Sequence, residues 1–132
     1  MMMKITLLAF MLGTALLTGC GTSAPISTVS HTLAAQKTVS SQQMQQAIYN
    51  ALQRYGWELQ SDNGSQIYAR FNKQERHIVD IRIDYSGGGF SIQHAASQGL
   101  NHDLSRNNIH RNYNRWVRNL EQDIQSSLSF IQ

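Results

Sequence analysis

The spacing of apolar residues along this chain changes several times, and each change marks a different kind of segment. Ile5 to Leu17 make a predominantly apolar run of 13 residues behind Lys4, ending at Leu17-Thr18-Gly19-Cys20. Residues 21–39 are rich in Ser, Thr and Ala, include Gly21 and Pro25, and show no apolar period. From Ser40 the period is helical: Met44, Ile48, Ala51, Leu52 and Tyr55 form one stripe, and Gln42, Gln43, Gln45, Gln46, Asn50 and Gln53 fill the other side. Ser40 with Gln43 has the spacing of a capping box. Gly56 supplies a helix stop able to adopt left-handed torsions.

Beyond Gly56 the period drops to two, the signature of strands with one buried face. Trp57 and Leu59 alternate with Glu58 and Gln60. After Asp62-Asn63-Gly64-Ser65, a hairpin signal because Asn-Gly suits positive φ, Ile67, Ala69 and Phe71 alternate with Tyr68 and Arg70. A polar turn over Asn72 to Arg76 leads to His77, Val79, Ile81, Ile83 and Tyr85, interleaved with Ile78, Asp80, Arg82 and Asp84. Ser86-Gly87-Gly88-Gly89 turns the chain into Phe90 and Ile92, alternating with Ser91 and Gln93. Finally Ile109, Tyr113, Trp116, Val117, Leu120, Ile124 and Leu128 restore a helical stripe, with Trp116 near its centre. Short turns make consecutive strands antiparallel neighbours. The pattern therefore predicts an α+β fold of order α-β-β-β-β-α: a four-stranded antiparallel meander with two helices packed on one face.

The N-terminal run sets the domain plan. A bilayer span needs roughly 20 apolar residues, so this run is too short to cross. A positive start, an apolar stretch and small residues before a cut site are the layout of a secretory signal. The plan is a signal over 1–19, Cys20 with a flexible tether over 20–39, and one domain over 40–132. As a coil, a tether of this length averages about 22–26 Å, and it reaches roughly 60–70 Å fully extended. Without residues 1–19 the chain keeps 113 residues and a net charge of +2, because Lys4 is the single charge removed. So mild a charge argues against nucleic acid as a partner. One cysteine permits no intrachain disulfide, and the core alone must hold the domain.

Candidate chemistry is sparse. His94, His102, Asp103 and His110 cluster in sequence between the last strand and the last helix, and ligands of this type can hold zinc. Their spacing matches no compact metal motif, so scattered histidines account for them better, as they do for His31 and His77, and no metal or other cofactor is expected. No Gly-x-Ser-x-Gly elbow occurs. Gly87 to Gly89 lack the Gly-Lys-Ser/Thr of a phosphate loop and read as a hairpin turn. Asp80 and Asp84 flank Arg82 on the polar sheet face and form no acid–base pair. Arg111, Arg115 and Arg118 lie at i, i+4 and i+7, a cationic face suited to phosphates or carboxylates. Glu121 and Asp123 follow on the polar side, which favours a solvated surface. The irregular stretch Ser97 to Asp103 completes a region, 94–118, where ligand contact would centre.

Leu17-Thr18-Gly19-Cys20 resembles the lipobox of bacterial lipoproteins. That resemblance implies cleavage before Cys20, which then carries thioether-linked diacylglycerol and an N-acyl chain. In that class an Asp directly after the cysteine retains the protein at the inner membrane. Gly21 stands there instead, which implies the outer membrane of a Gram-negative cell, with the domain facing the periplasm. The run Ile109-His110-Arg111-Asn112-Tyr113-Asn114-Arg115-Trp116-Val117-Arg118-Asn119-Leu120-Glu121 is similar to the C-terminal signature of a family of small, uncharacterised proteobacterial lipoproteins. Gly56-Trp57 and Ile83-Asp84-Tyr85-Ser86 fit the same family. The resemblance implies an envelope address and no particular activity. The expected function is a lipid-anchored, non-enzymatic interaction domain in the periplasm, with an envelope protein or the cell wall as partner. The alternative is a small-ligand or metal-binding module using 94–118.

Overall fold

Ser40 opens the first helix in the way its spacing predicts. In the computed structural model, which describes residues 23–26, 28–33, 38–73, 77–99 and 108–131, the Ser40 side chain accepts the Gln43 amide at 3.0 Å and the Gln43 side chain accepts the Ser40 amide at 2.9 Å. Helix α1 (Ser41–Arg54) buries Met44, Ala47, Ile48, Ala51 and Leu52. At its end Gly56 takes φ +78°. The Gly56 amide donates to the Gln53 carbonyl at 3.3 Å, and the Trp57 amide donates to the Leu52 carbonyl at 2.8 Å. These bonds close a Schellman motif, with Trp57 buried beyond it.

Strands β1 (Ser23–Pro25) and β2 (Val29–Thr32) precede α1, and β3 (Glu58–Asp62), β4 (Gln66–Lys73), β5 (His77–Ser86) and β6 (Gly89–Gln98) follow it. A short β7 (Asn108–His110) runs directly into helix α2 (Arg111–Ser129). Strands β3 to β6 are the predicted meander. The sheet has a fifth strand, however: its order is β2-β6-β5-β4-β3, antiparallel throughout. Val29–Thr32 lie inside the segment predicted to be a tether, so that expectation is corrected there. Ile26, Leu33 and Val39 pack against the core, but their irregular spacing gives no period to read.

The glycine turn explains how β2 is held. The Leu33 amide donates to the Gly88 carbonyl at 2.8 Å and the Val39 amide to the Gly87 carbonyl at 3.1 Å. A Cβ on Gly87 would lie 2.2 Å from the Val39 carbonyl oxygen, and one on Gly89 would lie 2.2 Å from that of His31. The turn is a hairpin, as predicted, and it is also the saddle over which the preceding chain crosses.

Register sorts the sheet into two faces. Ile67, Ala69, Val79, Ile81, Ile83, Tyr85, Phe90 and Ile92 face both helices in one core with Tyr113, Val117, Leu120, Ile124 and Leu128 of α2. Ile109 belongs to β7, not to the helical stripe, and Trp116 lies half-buried at the core's rim. A two-stranded sheet pairs β1 with β7, matching Ser23 to His110 and Pro25 to Asn108. Asn114 Nδ2 on α2 donates to the Pro25 carbonyl at 2.7 Å.

Candidate functional site

The predicted region around 94–118 divides at α2. His94 pairs in register with Ile81 and faces the helices, its ring edge-on to Tyr113 at 5.3 Å and 85°. Tyr113 is fully buried, and burial pushes its hydroxyl far above tyrosine's usual range. Arg111, Arg115 and Arg118 lie on the opposite, exposed side of the same helix, because positions two before, two after and five after Tyr113 project away from it at about 100° per residue. The structure therefore does not bring His94 together with the arginines. His110 is in β7, paired with Ser23; His102 and Asp103 fall outside the described residues. Among the described residues no group of three or more His, Cys, Asp or Glu is arranged to hold a metal ion.

The arginine face keeps its chemistry. Arg115 and Arg118 make no hydrogen bond or ion pair with any described residue. Trp116 instead turns to the core's rim, tilted against Phe71 at 4.8 Å; Phe71 packs against Trp57 at 5.3 Å, and Lys73 Nζ sits 5.9 Å from the Trp116 ring centroid. The aromatic cluster with its cation and the arginine stripe thus occupy different sides of α2. The acid expected to temper the stripe is turned inward. Asp123 is buried and accepts a hydrogen bond from Arg54 of α1, while Glu121 accepts at 2.7 Å from His31 Nε2. Gln125 donates to His31 Nδ1 at 2.7 Å, which fixes β2 against α2. His31, predicted to lie in the tether, is instead a packing residue beside Phe90. His77 closes the other sheet end, its Nδ1 donating to the Gly99 carbonyl at 2.6 Å.

A second polar constellation was not legible in the sequence. The Asp62 carboxylate accepts from the Tyr49 hydroxyl, from Gln45 Nε2 at 2.7 Å, from the Tyr85 hydroxyl at 2.8 Å and from the Gly64 amide at 2.8 Å. Burial pushes its pKa up, but these four donors outweigh burial and bring it down to about 2. The hydrogen bond to Asp62, with burial and the carboxylate's charge, lifts Tyr49 to about 12. Burial and then Asp62 raise Tyr85 as well. A carboxylate has about four lone-pair sites, and here all are filled. Such a group holds α1, the β3–β4 turn and β5 together, with no site left to take a substrate's proton.

The remaining polar groups lie on the uncovered sheet face. Arg70 clasps Asp80 bidentately at 2.8 and 3.1 Å. Arg82 Nη2 donates to Gln93 at 2.6 Å and to Asp84 at 3.2 Å. Arg70–Asp80 and Arg82–Gln93 link neighbouring strands, whereas Arg82–Asp84 lies within β5. A shallow depression of about 640 Å³ at one end of the face is lined by Ser30, Ser65, Gln66, Asp84, Ser86 and Ser91 among others. Among the described residues no helix is long and apolar enough to cross a membrane. No protein-family model, no curated protein and no solved structure matches this chain.

Proposed function

We propose that this protein is a cell-envelope lipoprotein anchored through Cys20 in the outer membrane, presenting a small non-enzymatic interaction domain to the periplasm. The observation that carries the reading is Leu17-Thr18-Gly19-Cys20 behind an apolar run of 13 residues, too short to span a bilayer. A single α+β domain lies directly downstream. Its largest polar groupings support a binding role over catalysis, since Asp62 and the Arg70–Asp80 pair spend their hydrogen-bonding capacity on the fold itself. The partner is an envelope protein or the cell wall.

Lipid attachment is physically sufficient for this address, since two or more acyl chains hold a protein stably at a bilayer. The test is incorporation of labelled fatty acid into the native chain and into Cys20→Ala. The native chain takes up label and fractionates with membranes, whereas the variant takes up none and leaves the membrane fraction. Equal labelling of both chains removes the lipoprotein assignment, and the location with it. Crosslinking in intact envelopes then identifies the partner.

A further inference from the structure

Strand β1 changes what the anchor does. Two residues, Gly21 and Thr22, separate Cys20 from Ser23, so the leash of three backbone steps between them spans at most roughly 11 Å. Ser23 pairs with His110, and Arg111 follows His110 directly at the start of α2. Paired Cα atoms in such a ladder lie about 4.5–5.5 Å apart, which places the Cys20 backbone within roughly 20 Å of that of Arg111. A coil over 20–39 would reach roughly 60–70 Å at full extension, about three times farther. The geometry points to a domain held flat on its own membrane, with Arg111, Arg115 and Arg118 docked on the phosphate-bearing headgroups of the leaflet that carries the lipid on Cys20.

Three observations converge on that occupant. The leash starts beside the first turn of α2, so this end of the molecule approaches the bilayer. The side chains exposed there include the three arginines, two of which have no ion-pair partner among the described residues. Asp123 and Glu121, the acids nearest in sequence, are engaged by Arg54 and His31 and do not neutralise the stripe. Arginine forks match phosphate oxygens bidentately. The stripe is about 10 Å long, comparable to the Debye length at physiological salt, so all three charges feel an anionic surface when the first does.

This inference rests on the lipid anchor proposed above, and the experiment separates the two. The native full chain, with the mass of its lipidated Cys20 verified, is reconstituted in vesicles of phosphatidylethanolamine with phosphatidylglycerol and in vesicles of phosphatidylcholine alone. A spin label is placed at Gln122→Cys, on the arginine side of α2, or at Ser61→Cys, on the open sheet face. Collision with nickel-chelating headgroups reports proximity to the membrane. The label at 122 is expected to lie near the headgroups in anionic vesicles and to withdraw in raised salt, while the label at 61 stays remote. At roughly fivefold per basic residue, replacing all three arginines by glutamine lowers the docked population by on the order of 100-fold. Arg115→Gln with Arg118→Gln alone moves it in the same direction and leaves Arg111 in place, so a folding defect from Arg111 cannot mimic the result. If the protein is lipidated and labels at 122 and 61 are equally remote in both lipids, the domain stands free and the proposal is overturned. Charge-dependent binding to isolated cell wall with no dependence on vesicle charge assigns the stripe to another macromolecule and overturns it too. An unmodified Cys20 in the mass spectrum removes the anchor itself, and both readings fall together.

Discussion

Asp62→Asn is the most informative single substitution in the folded domain. The side chain keeps its shape, but it loses its charge and one of its two acceptor oxygens. Four donors from Gln45, Tyr49, Gly64 and Tyr85 converge on the carboxylate. In the variant an amide NH₂ faces some of them, and donor meets donor. An unperturbed Asp titrates near 3.9, and the folded protein holds Asp62 at about 2. That displacement corresponds to about 2.5 kcal/mol of stability at neutral pH; partial exposure of the group screens it to about 1–2 kcal/mol. A mispaired donor adds about 1 kcal/mol. The variant is therefore expected to be less stable by about 2–3 kcal/mol at pH 7.

The sign of the pH dependence follows from both partners. Asp62 is depressed in the folded state, so its contribution is complete above about pH 4 and is lost as pH falls through about 2. Tyr49 is raised to about 12, so its contribution is complete below about pH 10 and is lost as pH rises through 12. The gap between native and variant should form a plateau between those limits and close on both sides. Denaturant melts of the 21–132 fragment across this range measure it. A gap of the same size at acid, neutral and alkaline pH would refute an ionised, donor-saturated Asp62.

Gly89→Ala puts a Cβ 2.2 Å from the His31 carbonyl oxygen; we expect β2 to lift from β6, with a loss of about 1–3 kcal/mol and faster amide exchange over residues 29–33. Gly88→Ala is the control, since its Cβ meets the Ser86 hydroxyl oxygen at an ordinary 3.7 Å; equal effects of the two changes would dismiss the saddle. Trp116→Ala should cost about 2–3 kcal/mol, below the 3–5 kcal/mol typical of a fully buried large aromatic, because the ring sits at the core's rim against Phe71. A loss under 1 kcal/mol in the same melts would mean the Phe71 contact stabilises nothing.

Where a residue's neighbours are local in sequence, the chain could be read directly. The Ser40–Gln43 box, the Gly56 stop and the Asn63-Gly64 turn each need only a few adjacent residues, and all form as their spacing predicts. The core faces of α1, β4, β5 and β6 were legible for the same reason. Strand β2 was not, because main-chain bonds to Gly87, Gly88 and β6 hold it, and main-chain groups leave no mark on residue type. Asp62 draws its donors from α1, its own turn and β5, so no spacing announces it. Asp123 looked solvated by its place beside polar residues, yet Arg54 of the other helix makes its burial tolerable. The arginine stripe was visible as a stripe, while its grouping with His94 failed because sequence proximity across a strand–helix junction says nothing about which side of the helix each residue takes. The least periodic stretch of the chain thus hides two strands. Read as a tether, residues 20–39 would contribute nothing to the fold. With β1 paired to β7 and β2 to β6, Ser23–Pro25 and Val29–Thr32 instead tie the start of the domain to the entry of its last helix and to its sheet, through long-range pairs that no local period announces.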